Sequence, residues 1–270
     1  MRGFLPAWAL ALRVVGLTFR AQLEYRGEFW MRVALGLAWQ TSIIVFATVL
    51  LGRFPGMGGW SSDAVLMIAA VRMLGHAFYE VFFGRVGELA VLVQEGRFDA
   101  FLLRPLPVYR QVQLSAFPSN ALGDLLVGGS LFAWAVWSIE LEWAPWQIAY
   151  IVAALVGGML VEAAVFTALS SLHLHFPSAI TWSYWTEELM TTFGNYPLKI
   201  LPGVISGAFT FVVPLAFVAY FPVAVLTGNT AGLGVPVAVA AAAPLIGLAA
   251  FAGSRVLWNW SLTRYTGVNG

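Results

Sequence analysis

The stretch VALGLAWQTSIIVFATVLLG, from Val33 to Gly52, contains no charged residue over twenty consecutive positions. An α-helix rises about 1.5 Å per residue, so a run of this length crosses a hydrocarbon layer of roughly 30 Å. Such a run is typical of a membrane-spanning helix rather than of the core of a water-soluble domain. The stretch therefore places the chain among the membrane proteins.

The composition of the whole chain agrees with this interpretation. Of 270 residues, 60% are hydrophobic and only 10% are charged, and the mean hydropathy is +0.82. A single soluble core of this length could not bury so much apolar surface. The formal net charge is +1, so no excess of positive charge favours nucleic acid as a partner. The absence of cysteine excludes disulfides, thiolate metal sites and cysteine nucleophiles.

Further apolar runs predict additional spans. Candidates of similar length follow at residues 64–83, 114–138, 146–170 and 235–257. Two segments compete for one more crossing: residues 178–193, which carry two glutamates, and residues 203–226, which carry Pro214 and Pro222 and suit a re-entrant hairpin equally well. Either choice predicts an all-α integral membrane protein with six transmembrane helices, forming a single transmembrane domain over residues 1–270.

The positions of the positive charges predict the orientation. Eleven arginines lie in the N-terminal segment, in the loop after the second span and near the C-terminus, whereas Arg53 and, under one assignment, Lys199 lie on the other side. Because positively charged loops stay in the cytoplasm, both termini and the second loop are predicted to be cytoplasmic. The loop that contains Glu140 and Glu142 has no positive charge, as expected of an outer loop.

Residues 1–26 predict a separate amphipathic helix in the cytoplasmic interface of the membrane. At 100° per residue, Arg2, Arg13, Arg20 and Glu24 fall within about 40° of one another on a helical wheel. Arg13 interrupts the apolar run too early for a signal peptide. The alternative is that this segment extends the first span.

The chain offers no residues for enzyme chemistry. A nucleotide-binding P-loop requires glycine directly before its lysine, and the only lysine, Lys199, follows Leu198. His173 and His175 lie two positions apart without a third ligand nearby, so a metal site is not predicted. We therefore expect no catalytic residue, no metal and no cofactor in this chain.

Ionisable residues inside the predicted spans are the strongest candidates for a functional site there. Arg72, His76 and Glu80 recur at four-residue spacing and form one stripe on a helix, while Asp124 and Glu162 are single acids in the next two spans. Either acid can partner Arg72. The stripe is either the polar lining of a translocation path or a clamp that holds one span against another, with Glu80 reaching towards the cytoplasm.

The cytoplasmic loop at residues 84–113 carries a second candidate site, in the stretch GRFDAFLLRPLPVYRQVQ from Gly96 to Gln113. This stretch resembles the loop between the second and third spans of ABC-2 type transporter permeases, which in one branch reads roughly G-x-x-D-x-x-L-x-R-P. The matching positions in this chain are Gly96, Asp99, Leu102, Arg104 and Pro105. Residues 196–222, marked by Pro202 and Pro214, are similar to the re-entrant helices that precede the last span in that family.

The resemblance implies how the loop works. It corresponds to the coupling helix that docks on a separate ATP-binding subunit, with Phe98, Phe101 and Leu102 offering an apolar ridge and Asp99 and Arg104 offering charged contacts. The full set of expected docking residues is Gly96, Arg97, Phe98, Asp99, Phe101, Leu102, Arg104 and Pro105. Residues 196–226 are expected to form the outer re-entrant region.

By the same resemblance, the chain is expected to be the permease subunit of an ATP-driven exporter in a bacterial cytoplasmic (inner) membrane. Its expected partners are a dimer of ABC ATPase subunits, which bind ATP and Mg, a second permease that is an identical copy or a paralogue, and membrane lipid. The expected cargo is lipophilic, amphiphilic or peptide-like.

Two other functions are less favoured by the sequence. A secondary transporter is expected to show an inverted repeat with paired broken helices, and only one proline-interrupted region is present. A membrane scaffold or assembly factor would also lack catalytic residues, but it would leave the loop motif unexplained.

Overall fold

A computed structural model describes residues 7–53 and 57–267, and in these residues the chain is helical with short connecting turns. No β-strand forms in the described part, where an isolated bridge joins Met57 and Trp60. The all-α class predicted from the sequence is confirmed.

The helices follow one another with short connections. In chain order they are α1 (Ala7–Glu24), α2 (Arg26–Arg53), α3 (Ser62–Gly87), α4 (Leu89–Gln94), α5 (Asp99–Leu102), α6 (Val108–Gln113), α7 (Asn120–Ser138), α8 (Pro145–His173), α9 (Ile180–Phe193), α10 (Gly203–Phe211), α11 (Tyr220–Thr227), α12 (Val237–Ala241) and α13 (Ala243–Leu262). Three 3-10 turns lie at Pro177–Ala179, Leu198–Ile200 and Leu215–Phe217.

Three helical stretches of the described chain are long and apolar enough to cross a membrane. They are Ser62–Gln94, which combines α3 and α4, together with α7 and α8. They correspond to the second, third and fourth predicted spans. The helices α2 and α13, which are 28 and 20 residues long, cover most of the first and last predicted spans. The total of six crossings stays a prediction.

Prolines account for two differences between the predicted and observed helix bounds. The third span was expected to begin at residue 114, but α7 begins at Asn120 because Pro118 has no N–H and restricts the residue before it. The last span was expected to be continuous over residues 235–257. It is divided into α12 and α13, with Pro244 in the first turn of α13.

Neither segment that competes for the fifth crossing forms a long uninterrupted helix. Residues 178–193 contain α9, which is 14 residues long. Residues 203–226 are divided into α10, a 3-10 turn that follows Pro214, and α11, so they do not form one continuous spanning helix. The re-entrant arrangement of residues 196–226 stays a prediction.

The first helix is separate from the first predicted span, since a turn at Tyr25 lies between α1 and α2. Phe19 on α1 packs edge-on against Phe29 and Phe117, with ring centroids 5.9 and 4.9 Å apart. The segment is therefore a helix of its own and not a straight extension of α2. Arg2 lies outside the described residues, and the interfacial location of α1 stays a prediction.

Glycines bring the long helices together. A Cβ on Gly157 of α8 would lie 2.6 Å from the Cα of Pro244 on α13, and a Cβ on Gly123 of α7 would lie 2.7 Å from the Val33 carbonyl on α2. Small residues allow such close contact between helix backbones, which is a common source of stability in membrane proteins. The long helices thus form one packed bundle, with much of α3 buried in it.

Candidate functional site

The centre of the bundle contains a buried ionic cluster formed by three residues from two helices. The Nδ1 atom of His76 lies 2.7 Å from Oε2 of Glu162, and a terminal nitrogen of Arg72 lies 3.6 Å from Oε1 of the same carboxylate. Glu162 has no solvent exposure, and Arg72 is 3% exposed. Of the two acids that the sequence left open as partners of Arg72, the structure selects Glu162.

The spacing on α3 and a glycine explain how this cluster forms. Arg72 and His76 are four residues apart, so both project from the same side of α3. Between them lies Gly75, where a Cβ would be 4.0 Å from backbone atoms of Leu155 and Met159, which shows that α8 passes close to this point. Glu162 follows about one turn later on α8. An unpaired carboxylate here would be very unfavourable, so the two basic partners stabilise it.

Beside the cluster lies a cavity of about 720 Å³ between α2, α3, α7 and α9. Its lining includes Arg72, His76, Tyr79 and Glu80 from α3, Trp39 and Gln40 from α2, Asp124 from α7, Phe166 from α8, and Ser183, Tyr184, Glu187, Glu188 and Asn195 from α9 and the turn after it. Four of the five predicted intramembrane residues thus line one cavity. Glu162 is not among the lining residues and lies behind Arg72 and His76.

The acidic residues of the cavity come from three helices. Glu80 is one turn beyond His76 on α3, and its charge is close enough to interact with those of Glu187 and Asp124. Asp124 is buried and within hydrogen-bonding reach of Gln40 on α2. Glu187 was visible in the sequence as an acid in an apolar segment, but only the fold shows that α9 brings it to this cavity.

The loop at residues 84–113, which is predicted to be cytoplasmic, is anchored near the end of α13. Phe98 has no solvent exposure and packs edge-on against Tyr265, with ring centroids 5.1 Å apart. The Tyr265 hydroxyl donates a hydrogen bond of 2.9 Å to Oδ1 of Asp99. Burial, with the neighbouring Asp99 carboxylate, raises the pKa of Tyr265 to about 12, so the phenol remains a donor near neutral pH. Phe98 therefore does not belong to an exposed apolar ridge, contrary to the expectation from the sequence.

The exposed apolar surface of the loop is made by leucines. Leu103 is 87% exposed, and Leu102 and Leu106 are exposed as well. Phe101 is only partly exposed, and the Arg104 guanidinium lies 5.8 Å from the centroid of its ring. Of these three leucines, only Leu102 was expected from the sequence to lie on the docking surface. Which loop residues face inward and which face outward depends on how the region of α5 packs against the end of α13.

The other loop residues take up positions that define its shape. Arg97 pairs with Glu95 at 2.8 Å on the surface, and both side chains are largely exposed. Gly96 has φ +68, a left-handed conformation that glycine adopts without strain, and this residue ends the helical stretch that contains α4. Pro105 is exposed and follows the end of α5, which it cannot continue.

A second set of contacts joins the other half of the loop to the bundle. The Arg255 guanidinium on α13 lies 3.4 Å from the centroid of the Tyr109 ring on α6. The Tyr109 hydroxyl lies 2.9 Å from Oγ1 of Thr167 on α8, and its ring packs edge-on against Trp258 at 5.2 Å. Both halves of the loop are thus in contact with α13 or the segment that follows it, and the second half also contacts α8.

Over the ranges 7–53 and 57–267, no group of three or more His, Asp or Glu side chains is arranged to hold a metal ion. His173 is buried and lies 3.4 Å from the Ser183 hydroxyl through Nε2, whereas His175 is exposed. The two histidines of this segment point to different surroundings, and the structure does not bring them together.

Comparisons with known proteins identified one family. A family model described as ABC-2 family transporter protein matches residues 37–269, which is most of the chain. No curated protein and no solved structure matches the chain.

Proposed function

The chain belongs to the ABC-2 family of transporter proteins, and on this premise we propose that it is the permease subunit of an ATP-driven exporter. Permeases of this family are membrane components without an ATPase site of their own, and they generally work with ABC ATPase subunits. In the proposed assembly, two ATPase subunits bind ATP and Mg and act on this permease and a second one, identical or paralogous. The location is the bacterial cytoplasmic membrane, with both termini in the cytoplasm.

The observation that supports this proposal best is the division of the cytoplasmic loop into an inner and an outer face. Phe98 and Asp99 are held by Tyr265 from within the chain, while Leu103 and its neighbours Leu102 and Leu106 remain exposed. An exposed apolar cluster flanked by a charge such as Arg104 is typical of a protein-binding surface. A loop that is firmly anchored on one side and apolar on the other suits the transfer of a movement from an ATPase.

The anchoring contacts provide a route for that movement. A displacement of α5 acts on Tyr265 at the end of α13, and a displacement of α6 acts on Arg255 of α13 and Thr167 of α8 through Tyr109. Both α8 and α13 belong to the packed bundle beside the cavity. In the proposed mechanism, closure of the ATPase subunits therefore shifts these helices and changes access to a path between the paired permeases.

The test is the association of the permease with its ATPase. We expect Leu103→Asp and Arg104→Ala each to reduce recovery of the ATPase when the tagged permease is purified from native membranes, by about tenfold for Leu103→Asp because a charge replaces an exposed apolar contact at the proposed interface. The control is Arg264→Ala, which removes a cytoplasmic arginine whose guanidinium lies 4.0 Å from the Trp260 ring centroid, outside the loop. If the loop variants retain the ATPase as the wild type does, the docking surface is not here.

A further inference from the structure

The cavity beside the ionic cluster is lined by more acidic than basic side chains. Arg72 and His76 both lie within ion-pair distance of Glu162, and Glu88 at one end of the cavity pairs with Arg85. Among the ion pairs of the described residues, none includes any of the four other acids that line the cavity. These acids are Glu80, Asp124, Glu187 and Glu188. Within the described residues these four acids thus form no ion pair, although the charge of His76 is close enough to act on Glu80 and those of His76 and Arg72 on Asp124.

An independent feature also indicates that something polar belongs in the cavity. Asn195 lines it and is 2% exposed, and its amide nitrogen donates a hydrogen bond of 2.8 Å to the Thr191 carbonyl. Its Oδ1 atom has no hydrogen-bond partner in the structure. A buried acceptor without a partner is unfavourable by itself, so this atom is suited to accept a hydrogen bond from a bound N–H group.

Aromatic rings complete the lining. Trp39 on α2 and Tyr184 on α9 are largely exposed residues of its wall, whereas Tyr79 and Phe166 are buried and stack on each other with ring centroids 5.1 Å apart. The faces of aromatic rings attract organic cations, and their apolar area also accommodates an alkyl or aryl group. The cavity thus combines hydrogen-bond acceptors and negative charge with apolar surface.

From these observations we propose that the cavity between α2, α3, α7 and α9 is a binding site for amphiphilic protonated amines, which places organic ammonium compounds among the exported substrates. The ammonium group binds to the carboxylates of Glu80, Asp124 and Glu187 and donates to Asn195, while the apolar part of the compound packs against Trp39 and Tyr184. The Arg72 charge does not repel the cation strongly, because the Glu162 carboxylate partly neutralises it. Export of these compounds rests on the function proposed above, whereas binding itself does not.

The experiment compares two fluorescent probes that share a dansyl group and differ in charge. Monodansylcadaverine carries a protonated primary amine at neutral pH, and dansylglycine carries a carboxylate. Fluorescence of each probe is titrated against the purified full-length protein in phosphatidylcholine nanodiscs. We expect saturable binding of monodansylcadaverine and no saturable binding of dansylglycine.

Two variants locate the site. We expect Glu187→Gln to weaken binding of monodansylcadaverine by about threefold to fivefold, which is the effect of losing one partly screened ion pair, and Asn195→Ala to weaken it as well. The matched control is Glu142→Gln, an exposed acid outside the cavity, for which no change is expected. Because Glu187 is exposed, we expect Glu187→Gln to fold normally. A thermal transition like that of the wild type checks this.

Three outcomes would overturn the inference: equal binding of both probes, no saturable binding of monodansylcadaverine, or wild-type affinity in Glu187→Gln. A second titration in nanodiscs that contain phosphatidylethanolamine distinguishes a site for free amines from a site for a lipid headgroup. If the site takes the headgroup, the lipid competes with monodansylcadaverine and binding of the probe is lost; if it takes free amines, binding is retained. Either result supports an ammonium site. Recovery of the ATPase is measured on the same preparations. If the ATPase is retained and the amine does not bind, this inference fails while the proposed function stands, and the reverse result rejects only the proposed function.

Discussion

The Tyr265 hydroxyl donates a hydrogen bond of 2.9 Å to Oδ1 of Asp99, although the two residues are 166 positions apart in the chain. This bond joins the segment after the last helix, α13, to the start of the short loop helix α5. Asp99 is a position of the loop motif for which the resemblance implied an external partner. Its hydrogen-bond partner in this structure, Tyr265, belongs to the same chain. Asp99 therefore helps to hold the loop in place.

Replacing Tyr265 by phenylalanine removes only the donor of this bond. We expect Tyr265→Phe to loosen the loop by about 1 kcal/mol, since this is the typical net contribution of one hydrogen bond. The measurement is the rate of tryptic cleavage after Arg97 in the purified protein, which should rise roughly fivefold. Tyr25→Phe, at an exposed tyrosine between α1 and α2, is the control and should cleave like the wild type.

The pH dependence of this bond follows from the pKa of Tyr265. Its value of about 12 in the folded protein lies above the value of about 10 for an unfolded tyrosine, so the stabilisation linked to the protonated phenol is fully present below pH 10 and is lost as the pH rises from about 10 to about 12. The ratio of tryptic cleavage rates between Tyr265→Phe and the wild type should therefore be constant from pH 7 to pH 9. A ratio that falls towards one within this range would contradict the assignment of the phenol as the donor.

The buried ionic cluster should be more sensitive to substitution than a surface pair. Arg72→Met leaves the fully buried Glu162 carboxylate with His76 alone, and breaking a buried pair by removing one partner typically costs about 3 to 5 kcal/mol. We expect a large loss of thermal stability or of folded protein in the membrane. Arg32→Met, which breaks the pair with Glu28 in which both side chains are 52% exposed, should change stability by less than about 1 kcal/mol.

A second substitution separates the charge from the shape of the side chain. The double variant Arg72→Met with Glu162→Gln removes both charges, and we expect it to be more stable than Arg72→Met alone because no uncompensated carboxylate remains. Equal stability of the single and double variants would show that the Arg72 charge does not act on Glu162.

The contact between α8 and α13 can be tested with two glycines of the same helix. A Cβ on Gly247 would overlap the backbone of Gly157, whereas a Cβ on Gly253 would meet nothing within 4 Å. We expect Gly247→Ala to destabilise the protein by about 1 to 3 kcal/mol or more because the backbones must separate. Gly253→Ala should be neutral or slightly stabilising, since alanine favours helix more than glycine does. Thermal unfolding in detergent measures both, and similar melting temperatures of the two variants would contradict the close contact.

The orientation in the membrane is tested with single cysteines, because the native chain has none. A membrane-impermeant thiol reagent added to whole cells should label a cysteine at Glu142 and should not label one at Arg97, because the arginine-rich loop is predicted to be cytoplasmic. Permeabilised cells provide the control, in which both positions should react. Labelling of position 97 alone in intact cells would reverse the orientation.

Sequence alone was sufficient for the properties that depend on local composition and periodicity. A charge-free run such as residues 33–52 and a hydrophobic content of 60% identify a helical membrane protein, whatever the arrangement of its helices. The family was recognisable from a motif of five residues between Gly96 and Pro105, because these lie close together in the chain. Helix ends near Pro118 and Pro244 were predictable in principle, since proline acts on its own backbone.

Only the tertiary structure decided which distant side chains meet. Asp124 and Glu162 are equivalent in sequence as lone acids in apolar helices, and the close passage of α8 along Gly75 places Glu162, and not Asp124, against Arg72 and His76. The inward position of Phe98 likewise depends on the end of α13. The physical reason is that an ionic or aromatic contact requires atoms within a few ångströms, and that distance is set by the packing of entire helices, which no local pattern of residues encodes.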